Sequence, residues 1–292
     1  MRVSSGKYLC FNGDFLAAGE PVLPLNNRSF RYGDALIENI HAFGTEAQFL
    51  DLHLTRLKQS METLNMMIPA FFTAENVSGL ITKLLNKNRI FGGARMQLTV
   101  FRNSGSSHEG KMAVPEINTV SYTLESEALP SDHYQLNPQG LVIDIFTPMP
   151  KPVHRLSSIK STSALLYVMA GIFVTEKGLD DCILVNEKGH LVESGASNIF
   201  LLREGQIYTP GIEEGCIPGI MRQVILSSIR SSNKKFSENL PLVISDLLAA
   251  DEVFLTDAIN GIRWVGAFQQ KRYYRDFSRQ LTDQLNSLAF GK

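Results

Sequence analysis

Short strand-like segments follow one another closely in the second half of the chain. They are mostly apolar, and only turn residues separate them. The segments cover residues 182–185, 190–193, 199–202 and 206–208. Two of the connections, 186–189 and 203–205, end in glycine, as hairpin turns commonly do. This density of strands predicts a curved or barrel-like sheet.

The first half of the chain has a different pattern, in which helical periodicity precedes strand periodicity. One helix is predicted from apolar residues at helical spacing behind Asp51, a candidate N-cap, and a second is predicted over 77–85. Residues 94–100 then alternate apolar with polar, and 117–124 are rich in strand-forming residues. These elements predict a sheet that helices cover on one face.

The length of 292 residues exceeds what one hydrophobic core usually supports, so two domains are expected. We predict a smaller N-terminal α+β domain over 1–125. Residues 126–140 are mostly polar and lack a sustained period, which predicts a linker. A larger C-terminal domain over 141–292 holds the barrel-like sheet, flanked by helices predicted over 162–177 and 215–230. The predicted fold class is therefore α+β with two domains.

Charge and cysteine content exclude several classes of protein. The 28 Lys and Arg residues balance 29 Asp and Glu residues, which leaves no large basic surface for nucleic acid. Cys10, Cys182 and Cys216 share no C-x-x-C spacing, so neither a disulfide framework nor a metal site is predicted. The longest apolar run, 164–174, is about half of the roughly 20 residues that a membrane helix needs, and residues 1–12 lack a signal-peptide core. We expect a cytoplasmic protein.

Three short motifs match only in part and are rejected. Residues 160–162 read K-S-T, like the end of a phosphate-binding P-loop, but the five residues before them contain no glycine. Residues 157–160 fit the S-x-x-K pattern of penicillin-recognising enzymes, yet neither S-D-N nor K-T-G follows. His108-Glu109 lacks the second histidine of the zinc-binding H-E-x-x-H motif.

Lys160 stands between a proline-rich passage, 147–152, and the apolar helix predicted over 162–177. The neighbours that we expect to be buried are Ile159, Ala164, Leu165 and Leu166. The amine would then emerge from a hydrophobic region, where desolvation lowers a lysine pKa from about 10.4 toward neutrality and makes it a nucleophile and a base. The alternative is a lysine that extends to solvent.

Two other positions suit a charged or phosphorylated ligand. Glu193 ends a strand between apolar segments, and a partly buried carboxylate needs a cationic or protonated partner, such as the ring nitrogen of a cofactor. Its alternative role is to cap the turn at 194–195. Asn198 fits a turn-stabilising amide better than a ligand contact. Residues 215–222 open a helix whose free amides and dipole suit a phosphate.

Together these positions resemble the class IV aminotransferases, the pyridoxal-phosphate enzymes of fold type IV. This group contains branched-chain aminotransferases, D-amino-acid transaminases and 4-amino-4-deoxychorismate lyases. The matching blocks cover residues 27–38, 52–57, 159–160, 193–200, 209–210, 219–222 and 251–256. The resemblance implies a pyridoxal 5'-phosphate cofactor between two domains. It also implies a homodimer in which residues of the N-terminal domain reach the neighbour's site.

The resemblance implies a role for each matched position. Lys160 corresponds to the lysine that holds the cofactor as an imine and shuttles the α-proton, and Glu193 to the carboxylate that pairs with the pyridine nitrogen. Arg56 corresponds to the arginine on the phosphate, where the amides of Ile220 and Met221 complete the cup. The remaining implied cofactor contacts are Asn198, Asp257 and Ala258.

Departures from the family pattern bear on the substrate. Branched-chain aminotransferases usually have a tyrosine at the position of Leu165 and threonines at those of Met221 and Ala258, so the phosphate loses two hydroxyl donors here. D-amino-acid transaminases have a tyrosine at the position of Ile37 and an Arg-x-His carboxylate trap near Ser107. Because neither is present, a D-amino acid is not expected.

The resemblance leaves two activities open. Amino transfer between a small amino acid and a 2-keto acid is preferred, and elimination of pyruvate from aminodeoxychorismate, which releases 4-aminobenzoate, is the alternative. A non-catalytic protein that binds the cofactor is a third reading. The candidate substrate contacts are Glu38, which matches the acidic residue of a Phe-Glu pair typical of transaminases but shared by some lyases, and Arg95, on the polar face of the strand over 94–100. The alternative to substrate binding is that Arg95 simply belongs to an exposed polar face of the sheet. His53 is interpreted as a residue that orders the structure near Arg56.

Overall fold

The structure is a computed structural model with two compact units. It describes residues 7–20, 23–105, 113–232, 235–238 and 240–291. Ser107 and His108-Glu109, on which two of the motif tests fall, lie outside the described residues. Unit 1 comprises Met1–His133 and Lys160–Ser163, and unit 2 comprises Tyr134–Ile159 and Ala164–Lys292. Within the described part of the chain, no helix has the length and apolar character needed to cross a membrane.

Unit 1 is built around a six-stranded antiparallel sheet. Its strands are β1 (Tyr8–Phe11), β2 (Asp14–Ala17), β3 (Ala35–Phe43), β4 (Glu46–Ala47), β5 (Gly93–Arg102) and β6 (Val120–Ala128). Its helices are α1 (Arg28–Tyr32), α2 (Leu50–Thr63) and α3 (Ala74–Asn88). The spatial order of the strands is β2-β1-β6-β5-β3-β4.

The alternating sequence of β5 explains why helices pack on one face of this sheet. Every second residue of 94–100, starting with the first, is buried, and α2 and α3 pack on the sheet through their apolar sides. The N-cap of α2 is Phe49, in a left-handed conformation, and not Asp51, which lies in the first turn, where a negative charge suits the helix dipole. Pairing with β5 along the whole of β6 carries that strand to Ala128, beyond the predicted end at 124.

Unit 2 is built around a nine-stranded mixed sheet. Its strands are β7 (Leu141–Lys151), β8 (Asp181–Asn186), β9 (Leu191–Ser194), β10 (Asn198–Arg203), β11 (Gln206–Tyr208), β12 (Phe236–Ser237), β13 (Glu252–Asp257), β14 (Gly261–Phe268) and β15 (Lys271–Arg272). Its helices are α4 (Leu165–Lys177), α5 (Ile220–Ser231), α6 (Ile244–Ala249) and α7 (Asp276–Phe290). The order is β12-β11-β10-β13-β14-β7-β8-β9, with β15 on β14. The predicted α+β class with a barrel-like second sheet is confirmed.

Strand β7 continues into the proline-rich passage 147–152 and ends at Lys151. Its pairing with β8 is irregular between Phe146 and Lys151. Pro148 and Pro150 lie in this interval, where the lack of an amide donor costs no regular ladder bond. The end of β7 therefore places Lys151 inside unit 2.

Helix α4 is less buried than the sequence predicted. Leu165 is 80% exposed, and within α4 only Ala170 is buried. The neighbours that are only partly buried are Ile159, Ala164 and Leu166. The prediction of a buried hydrophobic neighbourhood next to Lys160 is therefore wrong for the single chain, because α4 packs on β7 and β8 through one side alone.

Helix α5 begins at Ile220, five residues after the predicted start at 215. A short 3-10 turn occupies Ile212–Glu214, and Gly219 is the N-cap of α5. Because Gly219 is extended rather than helical, and its amide donates back to the Ile217 carbonyl at 2.8 Å, the first turn of α5 opens sharply from a loop. This geometry leaves the first amides of α5 at the end of an abrupt turn.

Candidate active site

The backbone around Lys160 is fastened to β3 in unit 1. The Ile37 amide donates to the Lys160 carbonyl at 3.0 Å, and the Thr162 amide donates to the Ala35 carbonyl at 3.1 Å. An isolated bridge joins the same two segments. These bonds explain why the segment groups with unit 1, although the sequence assigned it to the C-terminal domain. They fix the position of the Lys160 backbone without using its side chain.

Glu38 on β3 binds two basic residues of α2. Arg56 donates to Glu38 through Nε, at 2.9 Å to Oε1, and through a second nitrogen to Oε2. His53 Nδ1 lies 2.7 Å from Oε2. His53 and Arg56 share one face of α2 because they are three residues apart. The interpretation of His53 as an ordering residue near Arg56 is confirmed, and Glu38, 2% exposed, orients the Arg56 guanidinium.

Electrostatics fix the protonation states of this cluster. Burial alone would raise the pKa of the Glu38 carboxyl, but the charge of Arg56 and the hydrogen bonds from His53 and Arg56 lower it to about 2. Burial lowers the pKa of His53, and the charges of Arg56 and Lys160 lower it further, against the effect of Glu38. An ionised Glu38 only accepts, so a neutral His53 carries its proton on Nδ1.

In unit 2, Glu193 is a buried carboxylate at the end of β9. It is 3% exposed. Its Oε1 accepts from the Lys151 ammonium and, at 2.7 Å, from the Tyr167 hydroxyl, while Oε2 accepts from the Ile217 amide at 2.8 Å. Burial and the Glu193 charge raise the pKa of Tyr167, which keeps its hydroxyl a donor.

The Glu193 carboxylate has room for one further donor. A carboxylate offers about four lone-pair sites, and three are used here. A single protonated ring nitrogen therefore fits this group. Sequence reasoning identified Glu193 but missed Lys151 and Tyr167, because their sequence separations from it, 42 and 26 residues, carry no local pattern.

The start of α5 offers uncapped backbone amides. Its N-cap, Gly219, has no side-chain hydrogen bond to the first turn, so the amides of Ile220 and Met221 are available to an anion. A Cβ on Gly219 would lie 2.0 Å from Asn198 Oδ1, which explains the glycine. Asn198 itself donates to the Ile217 carbonyl at 2.9 Å, the turn-stabilising role that the sequence favoured.

The loop that contains Asp257 and Ala258 is held by its own hydrogen bonds. Asp257 Oδ1 accepts from the amides of Ile259 and Asn260, at 2.9 and 2.8 Å. Thr256, directly across from Asn198, has a buried hydroxyl without a partner in the described part of the chain. A phosphate fits this donor set of helix amides and one hydroxyl better than a neutral group does.

Arg95 lies on the sheet face of unit 1 opposite the helices. Its guanidinium donates to Asn39 Oδ1 at 3.1 Å and to Gln97 Oε1 at 3.0 Å, and Glu127 lies 3.8 Å away. The Arg95 side chain is 38% exposed. It is thus partly held in place and still accessible.

Comparison with known proteins decides the family. Residues 35–268 match the family model described as amino-transferase class IV. The chain belongs to the class IV aminotransferases. The matched range includes Glu38, Arg56, Lys160, Glu193 and Met221.

Relatives of this class IV chain carry different names. A Methanocaldococcus jannaschii protein with the provisional name branched-chain-amino-acid aminotransferase is 27% identical over 250 residues, which are 84% of this chain and 82% of the relative. The aminodeoxychorismate lyase of Bacillus subtilis is 26% identical over 253 residues, 85% of this chain and 82% of that one. A crystal structure of the branched-chain aminotransferase of Thermoproteus uzoniensis with norvaline has a TM-score of 0.85 at 21% identity and covers 99% of this chain and 96% of its own. The fold is therefore that of type IV enzymes.

The paired cluster of Glu38, Arg56 and His53 should make this class IV protein sensitive to acid. The Glu38 pKa, lowered from 4.5 to about 2, contributes stability that is present above 4.5 and lost as the pH falls through about 2. We expect Glu38→Gln to lower the free energy of unfolding at pH 7 by about 3 kcal/mol, as measured by urea denaturation.

The pH profile distinguishes this effect from a general loss of packing. The deficit of Glu38→Gln should shrink between pH 4.5 and 2, where the wild-type carboxylate takes up its proton. Glu187→Gln, at an exposed turn position, is the matched control and should follow the wild type. If the difference in free energy of unfolding between Glu38→Gln and the wild type is constant over this range, the ionised Glu38 carboxylate is not its cause.

Proposed function

We propose that the chain is a pyridoxal-phosphate-dependent aminotransferase that acts on a small amino acid and 2-keto acid pair, as branched-chain aminotransferases do. The observation that carries the proposal is the class IV match over residues 35–268, together with a buried Glu193 that retains one acceptor site. When bound, pyridoxal phosphate supplies the electron sink that makes a Cα–H bond acidic.

The residues of the chain would divide the remaining work. Lys160 would bind the cofactor covalently and move the proton at Cα as a general base. Arg56, held by Glu38, would bind the phosphate together with the amides of Ile220 and Met221. Glu193 would accept a hydrogen bond from the protonated ring nitrogen and keep that nitrogen protonated. The further cofactor contacts that we propose are Asn198, Asp257 and Ala258.

For the substrate we propose that Arg95 binds a carboxylate. Asn39 and Gln97 hold its guanidinium and leave it accessible, and a planar fork of donors suits a carboxylate. Glu38, the other candidate substrate contact, is a carboxylate paired with Arg56 and His53, so we propose that it acts through the Arg56 guanidinium and not on a substrate carboxylate. We therefore propose that Arg56 binds the cofactor and that Arg95 binds the substrate.

The second candidate function is that of an aminodeoxychorismate lyase. It is favoured by the similarity to the Bacillus subtilis lyase, at an identity close to that of the first relative, and by Leu165 in place of the tyrosine usual in branched-chain enzymes. The same Lys160 chemistry would serve this elimination. Amino transfer remains the function that we propose.

A parallel assay separates the two functions. The purified holoprotein is incubated with L-leucine or L-glutamate plus a 2-keto acid, with D-alanine plus the same keto acid, and with aminodeoxychorismate. We expect transfer from the L-amino acids only. Release of 4-aminobenzoate as the sole turnover would replace the aminotransferase proposal by the lyase. A yellow protein that is inert in every arm would indicate binding of the cofactor without catalysis.

We further propose that the protein is a homodimer in the cytoplasm. The apolar residues exposed on α4 support a partner surface, because a helix that is apolar nearly all round is normally covered. The residues concerned are Leu165, Val168, Met169 and Ile172. The native mass in light scattering, against 32.5 kDa for one chain, tests this assembly.

A further inference from the structure

Glu193 has a resident cation within unit 2. The Lys151 ammonium donates to Glu193 Oε1 and, at 2.8 Å, to the Tyr167 hydroxyl, which itself donates to the same carboxylate. Lys151 is 4% exposed. We propose that Lys151 is a positioning residue, whose ammonium keeps the Glu193 carboxylate ionised and held in one orientation before any ligand binds.

Burying a charge inside a protein costs free energy. An unpaired carboxylate inside a protein is so unfavourable that it takes up a proton or destabilises the fold. Here the charge is balanced by one ammonium, and the Tyr167 hydroxyl and the Ile217 amide also donate to the carboxylate. Lys151 therefore determines whether Glu193 can remain an anion in this site.

The same bonds fix the direction of the carboxylate. Lys151 comes from the end of β7, Tyr167 from α4, and the Ile217 amide from the loop before α5. Donors from three elements leave the Glu193 carboxylate no free rotation. They also leave one acceptor site, which suits a protonated ring nitrogen. That this nitrogen belongs to a cofactor rests on the proposed function, whereas the pairing of Lys151 with Glu193 does not.

The stability of the cofactor-free full chain tests the pairing. Lys151→Met should lower its thermal midpoint by about 5 to 15 °C, because breaking a buried pair leaves one charge uncompensated. Lys151→Arg should recover most of the loss. The double variant Lys151→Met with Glu193→Gln should also recover it, since no charge is then buried. Lys188→Met, at an exposed turn, is the matched control and should not shift the midpoint.

An infrared measurement gives a readout that a purely structural role would not move. In cofactor-free Lys151→Met at neutral pH, we expect the carbonyl-stretching band of a protonated carboxyl group, absent from wild type and from Lys151→Arg. The band should disappear in the double variant, which assigns it to Glu193. If Lys151→Met does not fold, a folded double variant supports the pairing, and an unfolded one overturns it.

The outcomes separate this inference from the proposed function. An unchanged midpoint or a missing band in Lys151→Met overturns the role of Lys151, whatever the enzyme catalyses. A wild-type protein that neither binds pyridoxal phosphate nor turns over an amino acid overturns the proposed function. The infrared and thermal results on Lys151 would still stand, because neither requires the cofactor.

Discussion

Lys160→Arg is expected to reduce amino transfer by at least about a thousandfold, because an arginine does not form a stable C=N bond with the cofactor aldehyde and keeps its proton near neutral pH. The measurement is the initial rate of Lys160→Arg compared with that of the wild type, both with the L-amino acid that the wild type turns over fastest. The structure gives a reason to expect a folded variant. The hydrogen bonds that fasten the segment to β3 come from the backbone, so the thermal midpoint should change little.

Chemical trapping identifies the lysine independently of rate. Borohydride reduction of the wild-type holoprotein should fix the cofactor on Lys160, and peptide mapping should find the pyridoxyl adduct there and not in Lys160→Arg. Lys188→Arg, an exposed lysine, is the control and should retain both adduct and rate. An adduct on Lys151 would contradict the assignment of Lys160 and also the role proposed for the Lys151 ammonium.

Local pattern predicted most of the fold correctly. The period of two over residues 94–100 and the turn-separated segments from 182 to 208 each became strands, because the alternation of side chains in a strand is set within a few residues. Helix ends were less predictable. At Phe49 and before Leu165 they depend on backbone conformations and packing that the sequence does not encode locally.

Single residues of the candidate site were named from the sequence, but most of their pairings were not. Lys160 and Glu193 were named from their local surroundings and from family blocks, and Arg56 from its block, whereas the bonds of Arg56 to Glu38 and of Glu193 to Lys151 were not predicted. Glu38 meets Arg56 across 18 residues, and Lys151 meets Glu193 across 42. Such pairings depend on which strand and helix lie side by side, so periodicity along the chain carries no signal for them.

Burial of α4 was overestimated for a related reason. An apolar sequence indicates that the surface of a helix is buried, but it does not indicate whether the burying residues belong to the same chain or to another. Leu165 is 80% exposed in the single chain, although it belongs to the most apolar helix of unit 2. A second copy of the chain is the cover that we propose.

Glu193→Gln is the second substitution with a large expected effect. The amide keeps the size of the side chain but removes the negative charge that stabilises a protonated ring nitrogen. We expect the turnover number to fall by about 10² to 10³, the usual cost of deleting one preorganised electrostatic group. Because Lys160 is untouched, borohydride should still fix the cofactor on Lys160.

This substitution also leaves the Lys151 ammonium buried without its counter-ion, which could by itself disturb the site. The double variant with Lys151→Met removes that charge and distinguishes the two causes. If the carboxylate acts on the ring nitrogen, the double variant stays as slow as Glu193→Gln while its thermal midpoint recovers. Recovery of turnover together with the midpoint would show that the uncompensated lysine had caused the loss, and Glu193 would then have no electrostatic part in the reaction.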